Sequence, residues 1–404
     1  MKPSALRVAY VGPVSLPHGG AASRRMLGIA QSLRAAGHEV LFGSGQMPRE
    51  GTSEPLDFEG FPVHSLGERT AEHLPLLLKH LVYLGMGRRT RDWLEALDPP
   101  PDAVILYAGF AAYFARLLPW TRARGIPLIF DAVEWYEPSS MPGGALGPYR
   151  WSFELSARFF TVRCGNVVAI SAYLRDHYAA RGCNVVRVPP TLDVAALPPV
   201  AAPAERACLT IGFAGSPGHR NSFETLVESV ATLAQRGRRI RLRVAGMTAE
   251  RVLRTPALAS RGLRRLPDFI EALGVLDHEQ AMQRVRDCDF TVLMREVRRY
   301  SMAAFPTKVV ESLACGTPVI CNLTSDLGEH LVDGREALLC ADFSAAALVE
   351  TLERALLLSP ETRYAMRLAA RRRADEAFDF RRYTAALGGF LERAASRASR
   401  PVEP

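Results

Sequence analysis

A two-domain α/β fold, each half a doubly wound parallel sheet, follows from three features of the sequence. The 404 residues exceed what one ordinary core fills and suit two domains of roughly 150–200 residues. Short apolar runs alternate with helical periodicity through both halves, the pattern of parallel strands buried on both faces. Between Pro189 and Pro203, five prolines fall within fifteen residues, too many for a sheet or helix, so this stretch reads as a semi-rigid connector.

Taken in order, Leu6–Val11 is an apolar run ending at Gly12 and predicts the first strand. Residues 22–36 set Met26, Ala30 and Leu33 on one helical face, and Gly37 stops that helix. Further strands are predicted at Glu39–Phe42, Asp102–Tyr107, Pro127–Asp131, Val167–Ser171 and Val185–Val188. This gives an N-terminal Rossmann-like domain over 1–190 and a Pro-rich linker over 191–206. A second series follows at Leu209–Ala214, Ile240–Ala245, Phe269–Leu276, Phe290–Met294, Pro318–Cys321 and Ala337–Leu339, making a C-terminal Rossmann-like domain over 207–379. A helix over 380–396 is expected to pack back toward the N-terminal domain, with a disordered tail over 397–404. Two such sheets are expected to share a cleft at their carboxyl ends.

Composition excludes several classes. Hydrophobic residues at 48% and charged residues at 23% fit a folded chain rather than a disordered one. The start of the chain has no long apolar region or cleavage site, so no secretory signal is expected. No run approaches the ~20 apolar residues of a membrane span. The seven cysteines are scattered without a CxxC pair, which argues against a disulfide framework or the usual zinc spacing and points to a reducing cytosol. The net charge of +8 attracts anions of several kinds. Arg371-Arg372-Arg373, beside Asp375 and Glu376, reads as a solvated helical face.

Three segments carry candidate chemistry. Gly19-Gly20 follows the first strand and precedes a helix, so backbone amides there can approach an anion closely. The turn lacks the GxGxxG of dinucleotide enzymes. In Phe305-Pro-Thr-Lys-Val-Val-Glu-Ser-Leu-Ala-Cys-Gly-Thr-Pro-Val-Ile, Lys308 occupies the first helical turn. The macrodipole disfavours a cation there by about 0.3–1 kcal/mol, and a bound anion would remove the conflict. Glu311, one turn on, offers two acceptor oxygens suited to a ribose diol. Leu209 to Leu226 is strand, Gly-rich loop and amphipathic helix, with Arg220 in the loop, where a guanidinium can hold a diphosphate bidentately.

Together these segments resemble the GT-B glycosyltransferases of family 4, the retaining group. The resemblance rests on Gly19-Gly20, the Gly37-His38-Glu39-Val40 turn, Ala169-Ile170-Ser171, the loop ending in Arg220, and the Lys308/Glu311 helix running into Ala314-Cys315-Gly316-Thr317-Pro318-Val319-Ile320. It implies that Gly20 is the backbone contact to the donor phosphate, that Arg220 stabilises the diphosphate, and that Glu311 holds the ribose. Leu276 lies where these enzymes bring backbone groups up to the base. Gly19, Gly215, Ser216, Thr307 and Val309 complete the implied donor set. The chain departs from the family at Ala303, where a first glutamate often stands, at Gly215-Ser216 in place of Gly-Arg, and at Pro190-Thr191 in place of Pro-Asn. Lys308 is then expected to supply a second phosphate contact.

For the acceptor, Ile129-Phe-Asp-Ala-Val-Glu-Trp-Tyr ends a strand in two carboxylates and two aromatics. Asp131 and Glu134 suit hydroxyl donors, and Trp135 and Tyr136 suit the faces of a sugar; the alternative is that Asp131 caps a turn and Trp135 sits in the core. Met141-Pro-Gly-Gly reads as a mobile loop. Asp287-Cys-Asp289 precedes an apolar strand, where a DxD metal site would follow one, so no metal and no cofactor are expected. Residues 74–94 mix apolar and basic residues, consistent with peripheral membrane contact at the inner face of the membrane or with a buried helix with basic ends. The implied partners are a nucleotide-diphosphate sugar and a hydroxyl acceptor such as a glycan, lipid-linked glycan or natural product. Rival readings are a nucleotide-sugar 2-epimerase and a basic nucleic-acid-binding protein; no recognised nucleic-acid module occurs.

Overall fold

In a computed structural model the described residues are 5–18, 20–48, 51, 55–69, 82–137, 141, 144–202, 208–215 and 223–398. They form two compact units. The first comprises Met1–Leu192, Ala303–Phe305 and Phe380–Pro404; the second comprises Asp193–Met302 and Pro306–Asp379.

Unit 1 is built on an eight-stranded sheet with β1 (Arg7–Gly12), β2 (Glu39–Ser44), β3 (Leu56–Phe58), β4 (Phe61–Ser65), β5 (Ala103–Tyr107), β6 (Leu128–Ala132), β7 (Asn166–Ala169) and β8 (Asn184–Arg187). The strand order is β3-β4-β2-β1-β5-β6-β7-β8. All pairings are parallel except β3 with β4, a short antiparallel hairpin at the edge that the sequence reading did not anticipate. β1 is central: Val8, Ala9, Tyr10 and Val11 are fully buried, each larger side chain contributing about 1.5–3 kcal/mol by leaving water. The helix Ala21–Ala35 packs Met26, Ile29, Ala30 and Leu33 onto this core. The helix Thr384–Ala398 adds Leu387, Phe390, Leu391 and Ala394 to the same core. It runs to Ala398, so Arg397 and Ala398 of the expected tail are helical, and 399–404 lie outside the described residues.

Unit 2 is a six-stranded, wholly parallel sheet, with β9 (Leu209–Ala214), β10 (Ile240–Ala245), β11 (Ile270–Gly274), β12 (Phe290–Leu293), β13 (Val319–Cys321) and β14 (Ala337–Leu339) in the order β11-β10-β9-β12-β13-β14. Helices Phe223–Gln235 and Ala345–Leu357 bury Leu226, Val227, Val230, Leu348 and Leu352 against it.

In both sheets the strand order reverses at the first strand, with β1 lying between β2 and β5, and β9 between β10 and β12. Connections leave such a switch point toward opposite faces and open a crevice at the carboxyl ends. The arginine run is corrected by the structure. Arg371 donates to the carbonyls of Val194, Leu197, Pro198 and Ala314, and Arg373 pairs with fully buried Glu336. Only Arg372 is exposed. This face anchors the connector residues rather than facing solvent throughout.

Candidate functional site

Each unit carries a candidate site at its switch point. In unit 2, Gly215 follows β9 with φ 125°, and a Cβ there would fall 2.2 Å from the Lys308 ammonium. Gly246, after β10, has φ 98° and packs directly on the Gly215 backbone. Both conformations favour glycine, and the missing side chains leave room over the strand ends.

Lys308 reaches this space from the helix Thr307–Ala314, whose start is set by Pro306. Its ammonium lies 4.9 Å from the centroid of the Phe213 ring. Burial, reinforced by the nearby positive charge of Arg295 and offset by Glu311, pulls its pKa down to about 8. Val309 is buried, and with Lys308 and Glu311 it lines a small cavity against β9 and β12. Glu311 is half-buried and sits 4.0 Å from His278 Nδ1. His278 opens a helix fixed by the capping box of Asp277 and Gln280, and half-buried Leu276 lies on the loop between β11 and that helix. Gly215, Leu276, Thr307, Lys308, Val309 and Glu311 thus fall at the carboxyl end of this sheet. Ser216 and Arg220 lie outside the described residues.

Arg295 is the residue that sequence reasoning missed. It is 8% exposed and follows β12, the strand across the switch point from β9. Asn322 holds its backbone from both sides, accepting from Arg295 N at 2.9 Å and donating to Arg295 O at 2.7 Å. The Arg295 guanidinium lies 5.7 Å from the centroid of the Tyr300 ring, and its charge is felt at Lys308. The only signal in the sequence was an arginine just after an apolar strand, a weak one. Neither carboxylate of the DxD lies there: Asp289 accepts from Thr210 N at 2.7 Å and fixes the start of β9, and Asp287 pairs with Arg284.

In unit 1 a pocket of about 430 Å³ opens at the switch between β1 and β5. The loop after β1 supplies Pro13 and Val14, the loop after β5 supplies Ala108, Gly109 and Phe110, and the loop after β6 supplies Glu134 and Tyr136. Ala108 has φ 42°, a strained conformation of order 1–3 kcal/mol for a non-glycine residue, held by the hydrogen bond its N–H donates to Asp131 O. Tyr107 lines the pocket, and burial followed by the Glu134 and Asp131 carboxylates raises its pKa, keeping it a neutral donor. Arg69, also unmarked in the sequence, contributes a cation to the wall. Gly20 precedes Ala21 and Ala22 of the same wall with φ 64°, forming the start of that helix. Gly19 lies outside the described residues.

Two acceptor expectations are corrected here. Asp131 is fully buried, and its carboxylate accepts from Arg25 at 2.8 Å and 3.3 Å and from the Tyr10 hydroxyl at 2.5 Å. Arg25 also donates to the Val188 and Pro189 carbonyls. Asp131 is therefore a structural anion beneath the pocket rather than a group open to acceptor hydroxyls. Trp135 is 2% exposed, with its ring against His177 and the Arg158 guanidinium, so it has no free face for a sugar. Glu134 and Tyr136 remain on the pocket wall. Of the 74–94 stretch, residues 74–81 lie outside the described residues; the helix Arg88–Glu95 buries Thr90 and Leu94. Of the Met141 loop, Pro142 and Gly143 are likewise outside.

Comparison with known proteins bears on the fold and the family. Residues 20–191 match the family described as Glycosyl transferase 4-like domain, and residues 209–373 match Glycosyl transferases group 1. A D-inositol 3-phosphate glycosyltransferase from Nocardiopsis dassonvillei is 28% identical over 232 residues, covering 51% of this chain and 52% of that protein. The match spans about half the length of the curated relatives. Among solved structures, sucrose-phosphate synthase from Thermosynechococcus elongatus superposes with a TM-score of 0.71 at 15% identity, covering 97% of this chain and 100% of that one. The Anabaena protein HepE, in complex with UDP and glucose, gives 0.64 at 14% identity, with coverage of 97% and 100%. The chain thus has the GT-B fold, with its N-terminal part matching the glycosyl transferase 4-like family and its C-terminal part matching glycosyl transferases group 1.

Proposed function

We propose that this chain transfers a glycosyl group from a nucleotide-diphosphate sugar to a hydroxyl acceptor, with retention of anomeric configuration. The observation that carries the reading is the Lys308 ammonium packed over Gly215 and Phe213 at the unit 2 switch point, one turn from Glu311 and within the field of Arg295. As the bond from the anomeric carbon to the diphosphate breaks, negative charge builds on the leaving group. Fixed cations in a dry site stabilise that charge without reorganising. Glu311 takes the ribose hydroxyls, and the loop at Leu276 takes the base. The acceptor lies in the unit 1 pocket, where Glu134 accepts from its hydroxyls and neutral Tyr107 donates to it. The new bond forms on the face the diphosphate leaves, and the acceptor proton departs with the diphosphate. Because the solved relative HepE holds UDP, UDP-sugars are the first donors to try. Arg220, Gly19 and Gly20 are proposed as further phosphate contacts.

The test is a thermal-shift panel of nucleoside diphosphates and nucleotide sugars, followed by turnover of the best donor with an acceptor panel. UDP or another diphosphate should stabilise the protein, and Lys308→Ala should lower kcat on the order of 10²–10³. No stabilisation by any nucleotide would overturn the reading. Conversion of the donor sugar with no acceptor present would replace it with epimerisation.

A further inference from the structure

The unit 1 pocket does not end at Glu134. Tyr83, Phe110 and Tyr149 line it and also line a second, larger space of about 880 Å³. This second space is a groove between the helices Ala111–Ala123 and Pro148–Leu155, floored by Ala111, Ala112 and Ala115 and walled by Trp151, Leu155 and Leu84. The helix Pro148–Leu155 carries Tyr149, Trp151, Phe153 and Leu155, yet none of its residues is buried. Trp151 is 62% exposed, Leu84 66% and Leu155 46%. A contiguous apolar face of this kind on a water-facing surface marks an interaction site, not a scatter of single exposed residues.

Its flanks are basic. Between Leu146 and Arg163 the chain carries three arginines against one glutamate. Arg116 lines the groove itself, and Arg150 lies 5.7 Å from the centroid of the Trp151 ring on its wall. Apolar side chains interleaved with arginines at one surface match an anionic lipid interface, where indole rings sit at headgroup level and guanidinium groups meet phosphates. A soluble sugar would leave this groove wet; a hydrocarbon chain would fill it.

We infer that the acceptor is lipid-anchored, its polar head in the Glu134 pocket and its hydrocarbon chain in the Trp151–Leu155 groove, taken from an anionic membrane surface. This rests on the glycosyl-transfer reading for the pocket and names the acceptor class that the pocket's apolar extension selects. The continuity of pocket and groove through Tyr83, Phe110 and Tyr149 makes one amphiphile the occupant of both.

The experiment uses the full chain with vesicles of phosphatidylcholine, with and without phosphatidylglycerol, whose acyl chains are brominated. Bromine quenches tryptophan fluorescence only at contact. Vesicles containing phosphatidylglycerol should quench the wild-type signal, and Trp151→Phe should remove most of that quenching. Leu84→Gln with Leu155→Gln, both at exposed positions, should weaken vesicle sedimentation at least about tenfold while leaving the thermal shift by UDP unchanged. Quenching that is absent, or untouched by these substitutions, overturns the inference. So does light scattering that shows a stable dimer whose Trp151 is shielded in solution, since a second copy would then fill the groove. Failure here with the UDP shift intact removes only the lipid acceptor; loss of the UDP shift in wild type removes the transferase reading itself.

Discussion

Lys308 shows how position sets chemistry. On an exposed helix it would be an ordinary surface cation; packed on Phe213 and near Arg295, its pKa falls to about 8. Folding lowers this pKa, so the charged form costs stability below about pH 8, and that cost fades as pH rises from there toward the ordinary lysine value. Anion binding runs the other way, because the charged form is the one that holds phosphate. The terminal phosphate and the uracil N3–H of UDP titrate toward the two ends of the range from pH 7 to 9, so the protein's part is read against the Lys308→Arg variant, which shares the ligand's titration. We expect affinity to fall through that range, by up to about tenfold per unit above the pKa. Lys308→Arg should flatten the profile, because a guanidinium stays charged. Calorimetric titration across this range checks both, and a wild-type profile parallel to the variant's would mean that Lys308 does not meet the diphosphate.

At the scale of elements, Asp131 and Glu134 end the same strand and its loop but do different work. Asp131 points beneath the sheet end into the Arg25–Tyr10 cluster, and Glu134 lies on the pocket wall. Asp131→Asn would leave Arg25 buried without its counter-charge, a loss of about 3–5 kcal/mol, and denaturant unfolding should show it. Glu134→Gln should instead leave unfolding nearly unchanged and UDP affinity intact, while transfer to acceptor drops. Equal stability loss in both variants would erase the distinction.

This division was illegible in the sequence because Arg25 stands 106 residues from Asp131, so no local window shows the pair. The long parallel strands were legible: Leu209–Ala214 and Ile240–Ala245 match their predicted bounds, the first as a mainly apolar run buried on both faces, the second by the alternation of Ile240, Leu242 and Val244 with Arg241 and Arg243. The β3–β4 hairpin was not, because Leu56–Phe58 is three residues long and Pro62 interrupts the apolar pattern of β4. On the donor side, Lys308 and Glu311 stood out because they share one helix. Arg295 joins them only through the strand order that sets β12 beside β9.

For the molecule as a whole, the division of labour between units makes a prediction about where ligand binding is felt. Apart from Gly20, the described residues proposed to meet the nucleotide's ribose, base and diphosphate belong to unit 2, and the Glu134 pocket belongs to unit 1. A ligand stabilises what it holds, by about 2.7 kcal/mol at a concentration one hundred times its Kd. Hydrogen exchange with saturating UDP and no acceptor should therefore slow amides at three places in unit 2: the end of β9 at Ala214 and Gly215, the end of β12 at Met294 and Arg295, and the helix start from Lys308 to Glu311. Amides around Glu134 and Tyr136 should change little until an acceptor is added. Protection at Ala21 and Ala22 would be the one expected exception, because Gly20 begins that helix and its amides are proposed to reach the diphosphate. Its absence would confine the donor to unit 2. If UDP instead protected the Glu134 pocket and left Lys308 to Glu311 untouched, donor and acceptor would have to exchange units, and the assignment of both sites would fall together.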